Sequence, residues 1–164
     1  TQFEQGRRFF GAGSLGGIGV GFPTALGVSL GKPDLPVIAL VGDGAWSMCL
    51  QEVMTAVKER LHFTTVIFNN SQYGAEKRNQ FDFFKERYFY TLLENPSFAA
   101  IANDMGALGI CVTKAEDIGE AMRQAVGAGR PAVVEIMVDP KVLSEPYRRD
   151  ALKMPHRAMK KYMS

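Results

Sequence analysis

An aspartate between two glycines, in the stretch VGDGAW at 41–46, is the first residue with an evident chemical use. The apolar run Val37–Val41 ends at Gly42, so Asp43 stands at the exit of a buried segment. Glycines at 42 and 44 let the backbone turn sharply and come close to a ligand. A helix expected to begin near Trp46 offers free N–H groups to an anion. Asp43 alone would repel that anion. A divalent cation between them removes the conflict, because Asp43 supplies one hard oxygen and phosphate oxygens supply others. After a spacer of 24 residues beyond Gly44 comes Asn69-Asn70, a second polar turn at the end of a second apolar run.

Two basic pairs come next. Lys77-Arg78 follow the asparagine turn directly, and Arg148-Arg149 lie in the tail. Arginine forks suit tetrahedral oxyanions such as sulfonate and phosphate. The alternative for both pairs is solvated surface charge. His62, in a helix-to-strand turn, and His156 receive no chemical role. Trp46 and Tyr73 flank the two turns, and packing is their expected job.

These residues need elements to hold them. PVIALV at 36–41, TTVIFN at 64–69 and PAVVEIMV at 131–138 read as buried strands, and LGICVT at 108–113 as a weaker one. Near-continuous apolar runs are what parallel strands covered on both faces require. Between them lie helical patterns. WSMCLQEVMTAVKERL puts Met48, Val53, Ala56 and Val57 on one stripe. SFAAIANDMGAL starts with Ser97 as a cap after Pro96. AEDIGEAMRQAVGAG carries Ile118, Ala121, Met122 and Ala125 on one face. The least regular parts are 70–95 and the tail after Pro140. Strand and helix alternate, which predicts an α/β fold, a mainly parallel sheet with helices on both faces. Ligands of such sheets bind beyond the carboxyl ends of the strands, where both polar turns project.

The order G-D-G, then a spacer holding one helix and one strand, then N-N, resembles the cofactor motif of thiamine diphosphate enzymes. The resemblance implies thiamine diphosphate and Mg2+ as cofactors. It assigns Asp43, the side-chain oxygen of Asn70 and the backbone carbonyl of Gln72 to magnesium, which favours octahedral oxygen coordination. It gives the diphosphate to the turn Gly42–Ala45, with N–H groups from Gly44 and Ala45. Ile18, in GGIGVGFP, looks like the bulky residue under the bend between the cofactor's two rings; otherwise it is a helix-face core isoleucine. Gly11, Gly13 and Gly16 in GAGSLG match the dinucleotide fingerprint, but the preceding EQGRRFF is too short and polar for the central strand that fingerprint needs.

YGAEKRN at 73–79 and EPYRRDALK at 145–153 resemble the end of the sulfoacetaldehyde acetyltransferase family. That family converts sulfoacetaldehyde and phosphate into acetyl phosphate and sulfite. Its members are several times longer, so the likeness implies only their C-terminal diphosphate-binding domain. Two-subunit sulfopyruvate or phosphonopyruvate decarboxylases keep this domain on a short separate chain and are the alternative. In the resemblance, the glutamate that activates the cofactor lies on a pyrimidine-binding domain or subunit. That implies a partner carrying it, a dimer or higher oligomer, and no catalytic residue on this chain. Glu52 lies on the diphosphate side and is a poor substitute. A non-catalytic binding or regulatory subunit of the same fold is a rival from another class, against which the intact Asp43, Asn70 and Ile18 argue.

Composition narrows the rest. The chain has 164 residues, 46% hydrophobic and 22% charged, consistent with one domain over 1–164 and not with disorder. It does not begin with Met, as expected of a piece or processed product of something longer. No apolar run approaches the roughly 18 residues of a membrane span, and the N-terminus has no signal core. A net charge of +2 is too small for a nucleic-acid argument. The basic tail, 141–164, has seven basic residues against two acidic ones. It faces an anionic ligand or a partner's acidic surface, or it is a solvated end. Cys49 and Cys111 are expected to be reduced core thiols, as in a cytoplasmic protein.

Overall fold

The structure is a computed structural model and describes residues 9–11, 13 and 15–142. Four parallel strands form one sheet in the order β1-β2-β4-β3: β1 Ile38–Gly42, β2 Thr64–Asn69, β3 Leu108–Val112 and β4 Ala132–Met137. The sheet has the expected parallel sense. Register pairs Leu40 with Val66, Val66 with Val134, and Ile110 with Val134, so equivalent residues line one face across all four strands.

On the first face lies the larger core. Ala39, Val41, Ile67 and Val133 point from the sheet into a cluster with Phe22, Trp46, Cys49, Val53, Ala56, Phe98 and Ala102. Three helices supply most of those residues, α1 Gly21–Gly31, α3 Glu52–Lys58 and α5 Phe98–Asp104, while Trp46 and Cys49 come from the segment between β1 and α3. α5 begins as its sequence predicts, with Ser97 Oγ accepting from the Ala100 N–H at 3.2 Å. It sits so close over β3 that a Cβ on Gly109 would overlap the Ala99 carbonyl. Asn103 completes this contact. Its side chain donates to the Gly109 carbonyl at 3.1 Å and accepts from the Gly109 N–H at 3.0 Å.

On the second face α6, Ile118–Val126, covers β3 and β4. Its stripe of Ile118, Ala121, Met122 and Ala125 meets Val112, Ala132 and Val134, the amphipathic pattern legible in the sequence. No described helix covers β1 and β2 on this side. Ile38, Leu40 and Phe68 remain 49%, 61% and 44% exposed there. β1 is also an edge strand, with no partner on its outer side among the described residues.

Three expectations need correction. The stretch expected as one helix from Trp46 is two: α2 Asp43–Trp46 and α3, separated by a tightened turn. In that turn Cys49 and Glu52 donate to carbonyls three residues back, and Met48 points to solvent. Residues 70–95 contain a helix, α4 Gly74–Phe83, whose apolar residues are not periodic. α1 carries glycines and Pro23, which hide it from propensity; Pro23 lies in the first turn, where its missing N–H costs nothing. Cys49 is buried as expected, but Cys111 is exposed on the edge strand β3. Burial first, and then the Glu135 carboxylate, push the Cys111 thiol above its ordinary pKa.

Candidate cofactor and cation site

β1 and β2 are adjacent and parallel, so their carboxyl ends bring Gly42 and Phe68 side by side. The two polar turns therefore leave the sheet together, one residue later on each strand. α2 begins at Asp43, three residues earlier than the sequence pattern indicates. This makes Asp43 the first helical residue. The N–H groups of Gly44 and Ala45 fall in the first turn and have no acceptor among the described residues.

Asp43 is only 2% exposed. Its Oδ2 accepts from Asn95 Nδ2 at 2.7 Å. No basic side chain pairs with it among the described residues, and no described group donates to its other oxygen. A buried carboxylate held by one neutral donor is costly unless a cation joins it.

The glycines around it act differently from the expectation. Neither Gly42 nor Gly44 has a positive φ. Gly42 is extended, with φ −81° and ψ 158°, and a Cβ there would meet open space. Gly44 is needed for close approach: a Cβ on it would overlap the Tyr73 ring and lie 3.2 Å from Leu93 Cδ1. The residue in the left-handed region is Ser71, at φ 54°, directly after the asparagine pair. Its N–H donates to Asn69 Oδ1 at 3.1 Å, closing a side-chain turn that supports this conformation. Gly44→Ala is expected to push Tyr73 aside and cost about 1–3 kcal/mol. Thermal unfolding should show a clear drop in midpoint; an unchanged midpoint would refute the close-packing account.

Asn70 is half-buried, and no described group hydrogen-bonds its side chain. Gln72 forms an isolated antiparallel bridge with Leu92. The bridge is made by the Tyr73 N–H to the Thr91 carbonyl at 2.8 Å and the Leu93 N–H to the Ser71 carbonyl at 2.9 Å. In this pattern the backbone groups of Gln72 itself face away from Leu92. Its carbonyl has no donor among the described residues. The Gln72 side chain is tied down, donating to the Pro140 carbonyl at 2.9 Å and accepting from Lys77 Nζ at 2.7 Å.

The other candidates fall as follows. Lys77 stands beside Gln72 and over the Tyr88 ring, 5.5 Å from its centroid. Arg78 pairs with Asp82 at 2.8 Å on the same helix and stacks over Phe81. Arg148 and Arg149 lie outside the described residues. Ile18 is in a turn and 48% exposed, which overturns its reading as a helix-face core residue. Residues 1–8, which would have to supply the strand of a dinucleotide fingerprint, lie outside the described residues. Trp46 is fully buried between Phe22 and Phe98, a packing residue as expected. Sequence reasoning named Asn69 only as part of the asparagine turn and missed Asn95 and Glu135; the three side chains join the two turns. Glu135 carried a usable signal: a charged residue inside an apolar strand must find buried partners.

Residues 1–136 match the thiamine pyrophosphate enzyme family, C-terminal TPP binding domain. The chain belongs to this family. As a TPP-binding domain it has long relatives. It is 44% identical over 165 residues to a sulfoacetaldehyde acetyltransferase of Castellaniella defragrans, covering 98% of this chain and 27% of that protein. It is 34% identical over 134 residues to the mitochondrial acetolactate synthase catalytic subunit of Saccharomyces cerevisiae, covering 82% of this chain and 20% of the other. Among solved structures, the thiamine diphosphate-dependent 4-hydroxybenzoylformate decarboxylase of Rhodococcus jostii RHA1 superposes with a TM-score of 0.72. That likeness is at 29% identity, over 76% of this chain and 24% of the other. The chain thus spans about a quarter of the length of such relatives. No helix among the described residues is long and apolar enough to cross a membrane.

The TPP-binding domain has residues that fit a diphosphate with a hard cation. Its polar groups at this edge of the sheet are a buried carboxylate and, without partners among the described residues, a side-chain amide and a backbone carbonyl. Oxygen donors of this kind suit Mg2+ rather than a soft transition metal. The unpaired Gly44 and Ala45 N–H groups lie next to that carboxylate, where an anion bound to the cation would meet them.

Proposed function

We propose that this chain is the diphosphate- and magnesium-holding part of a thiamine diphosphate-dependent transferase or lyase acting on a small anionic carbonyl compound. The best-supported reaction is sulfoacetaldehyde plus phosphate giving acetyl phosphate plus sulfite. The observation that carries the cofactor reading is the buried Asp43 at the end of β1, held by one neutral donor and paired with no basic side chain among the described residues, beside the asparagine turn at the end of β2. The substrate reading rests on 44% identity along nearly the whole chain to a protein named for that reaction.

Asp43, the Asn70 side-chain oxygen and the Gln72 carbonyl would hold the cation. Gly44 and Ala45 would orient the diphosphate through their N–H groups, and Gly42 would leave room for it. Ile18 would support the cofactor's bend from an exposed turn. When bound, the cofactor supplies a carbon nucleophile that adds to the substrate carbonyl. Lys77, beside the site, would attract the substrate's anionic group. Arg78 would contribute less, because Asp82 already engages it. Arg148 and Arg149 remain proposed substrate residues on their sequence alone. The pyrimidine-activating glutamate would come from a partner domain or subunit, within a dimer or higher oligomer in the cytoplasm. A 2-oxoacid decarboxylase is the second reading, favoured by the decarboxylase that shares the fold.

The test is turnover. Purified 164-residue chain with thiamine diphosphate and Mg2+ is expected to release no acetyl phosphate, sulfite or carbon dioxide. Addition of a pyrimidine-binding half should restore release from sulfoacetaldehyde and phosphate. Robust turnover by the isolated chain would contradict the division of labour. Restored activity on 2-oxoacids alone would select the decarboxylase.

A further inference from the structure

Asp43 and Asn69 stand at the ends of neighbouring strands, 26 residues apart in sequence. A single amide group from a third segment joins them. Asn95 Nδ2 donates to Asp43 Oδ2 at 2.7 Å and to Asn69 Oδ1 at 3.0 Å. An amide nitrogen carries two hydrogens, so both bonds can be held at once. Asn95 is itself held from both sides. Before it, Leu93 is bonded to Ser71; after it, Ser97 caps α5.

The orientation of the Asn69 amide is fixed just as firmly. Its Nδ2 donates to Glu135 Oε1 at 2.7 Å, while its Oδ1 accepts from the Ser71 N–H at 3.1 Å. Glu135 is buried, and its other oxygen accepts from the Ala99 N–H at 2.9 Å and from Ser97 Oγ at 3.4 Å. A carboxylate offers only acceptors here, so Asn69 must present its NH2 to Glu135 and its oxygen to Asn95. Asn95 must then turn its NH2 toward Asp43. The chain of bonds runs from β4 and the start of α5, across the end of β2, to the end of β1. It reaches one oxygen of Asp43 and leaves the other without a described partner.

We propose that Asn95 is a positioning residue that fixes which oxygen of Asp43 is presented to a cation, with Glu135 setting the direction of the network behind it. This rests on the cation reading of Asp43 given above. Groups that orient a metal ligand from behind commonly govern metal affinity by about tenfold to a hundredfold.

The probe is Mn2+ in place of Mg2+, titrated with thiamine diphosphate present and followed by electron paramagnetic resonance, using the protein assembled with its pyrimidine-binding half. Asn95→Ala is expected to weaken Mn2+ binding about tenfold to a hundredfold. Its metal-free melting temperature, read alongside, is expected to fall by a few degrees, because Asp43 loses its one described donor although the half-buried side chain leaves little cavity. Asn95→Asp, of the same size, separates geometry from charge, with its folding checked by circular dichroism beside the titration. It adds a negative charge but no N–H, so bare electrostatics requires tighter binding, whereas positioning requires binding no tighter than wild type. Wild-type affinity in Asn95→Ala, or tighter binding in Asn95→Asp, would overturn the proposal. A wild-type protein that binds no Mn2+ would instead overturn the cation reading itself.

Discussion

Asp43→Ala is expected to abolish cation-dependent binding of thiamine diphosphate. The variant loses one of the few protein ligands to a bridging cation, and the loss should amount to several kcal/mol, on the order of a hundredfold or more in affinity. The structure adds a second half to this expectation. Asp43 is buried with one neutral donor and no basic partner among the described residues. Removing it therefore relieves an uncompensated buried carboxylate in the cofactor-free protein. Stability without cofactor should hold or rise while affinity collapses, a split that simple misfolding cannot produce. Asp43→Asn keeps the shape and an acceptor for Asn95 but loses the charge, and should fall between. Calorimetric titration with Mg2+ and thiamine diphosphate, beside thermal unfolding without them, reads both halves. Wild-type-like binding by Asp43→Ala would remove the basis of the site.

Trp46→Ala should carry the largest cost in stability. Trp46 is the chain's one tryptophan and is fully buried. Its ring meets Phe98 edge-on at 5.0 Å and Phe22 at 6.4 Å, which joins α1, α2 and α5 over the sheet. Truncating such a side chain costs about 3–5 kcal/mol, from lost burial and the cavity left behind. Against a total stability of roughly 5–15 kcal/mol, that loss brings a large fraction of molecules to the unfolded state. Trp46→Phe should cost much less, partly because the indole Nε1 has no hydrogen-bond partner to lose among the described residues. Urea unfolding followed by circular dichroism measures both. A loss below about 1 kcal/mol in Trp46→Ala would show that the three helices are held by other contacts.

Much of this architecture was legible in the sequence because its strands are near-continuous apolar runs. An apolar run such as TTVIFN has few other uses, and its polar ending marks where the sheet stops. The two polar turns, at Asp43 and at Asn69-Asn70, stood out by position: both follow such runs, and parallel pairing sets both at one edge of the sheet. α1 was not legible, because glycine and proline obscured its spacing of Phe22, Ala25 and Ser29. The role of Gly44 was misread for a related reason. Glycine in a turn suggests backbone freedom, whereas here the constraint comes from Tyr73, 29 residues away in the chain. Asn95 was invisible for a third reason. A loop asparagine before a proline has a ready local explanation, and only coordinates reveal that its amide spans two strand ends.

The half of the second sheet face left bare among the described residues has a thermodynamic meaning. Ile38, Leu40 and Phe68 form an apolar row beside an open strand edge, the combination that makes a polypeptide adhesive. A separate molecule that shielded that row would bind the folded form and not the unfolded one, and so would add to stability by mass action. With such a partner the melting temperature of residues 1–164 would not be a fixed property of their sequence. It would become a titration curve, rising with the concentration of the shielding surface, and any comparison between preparations would be meaningful only when that concentration is the same.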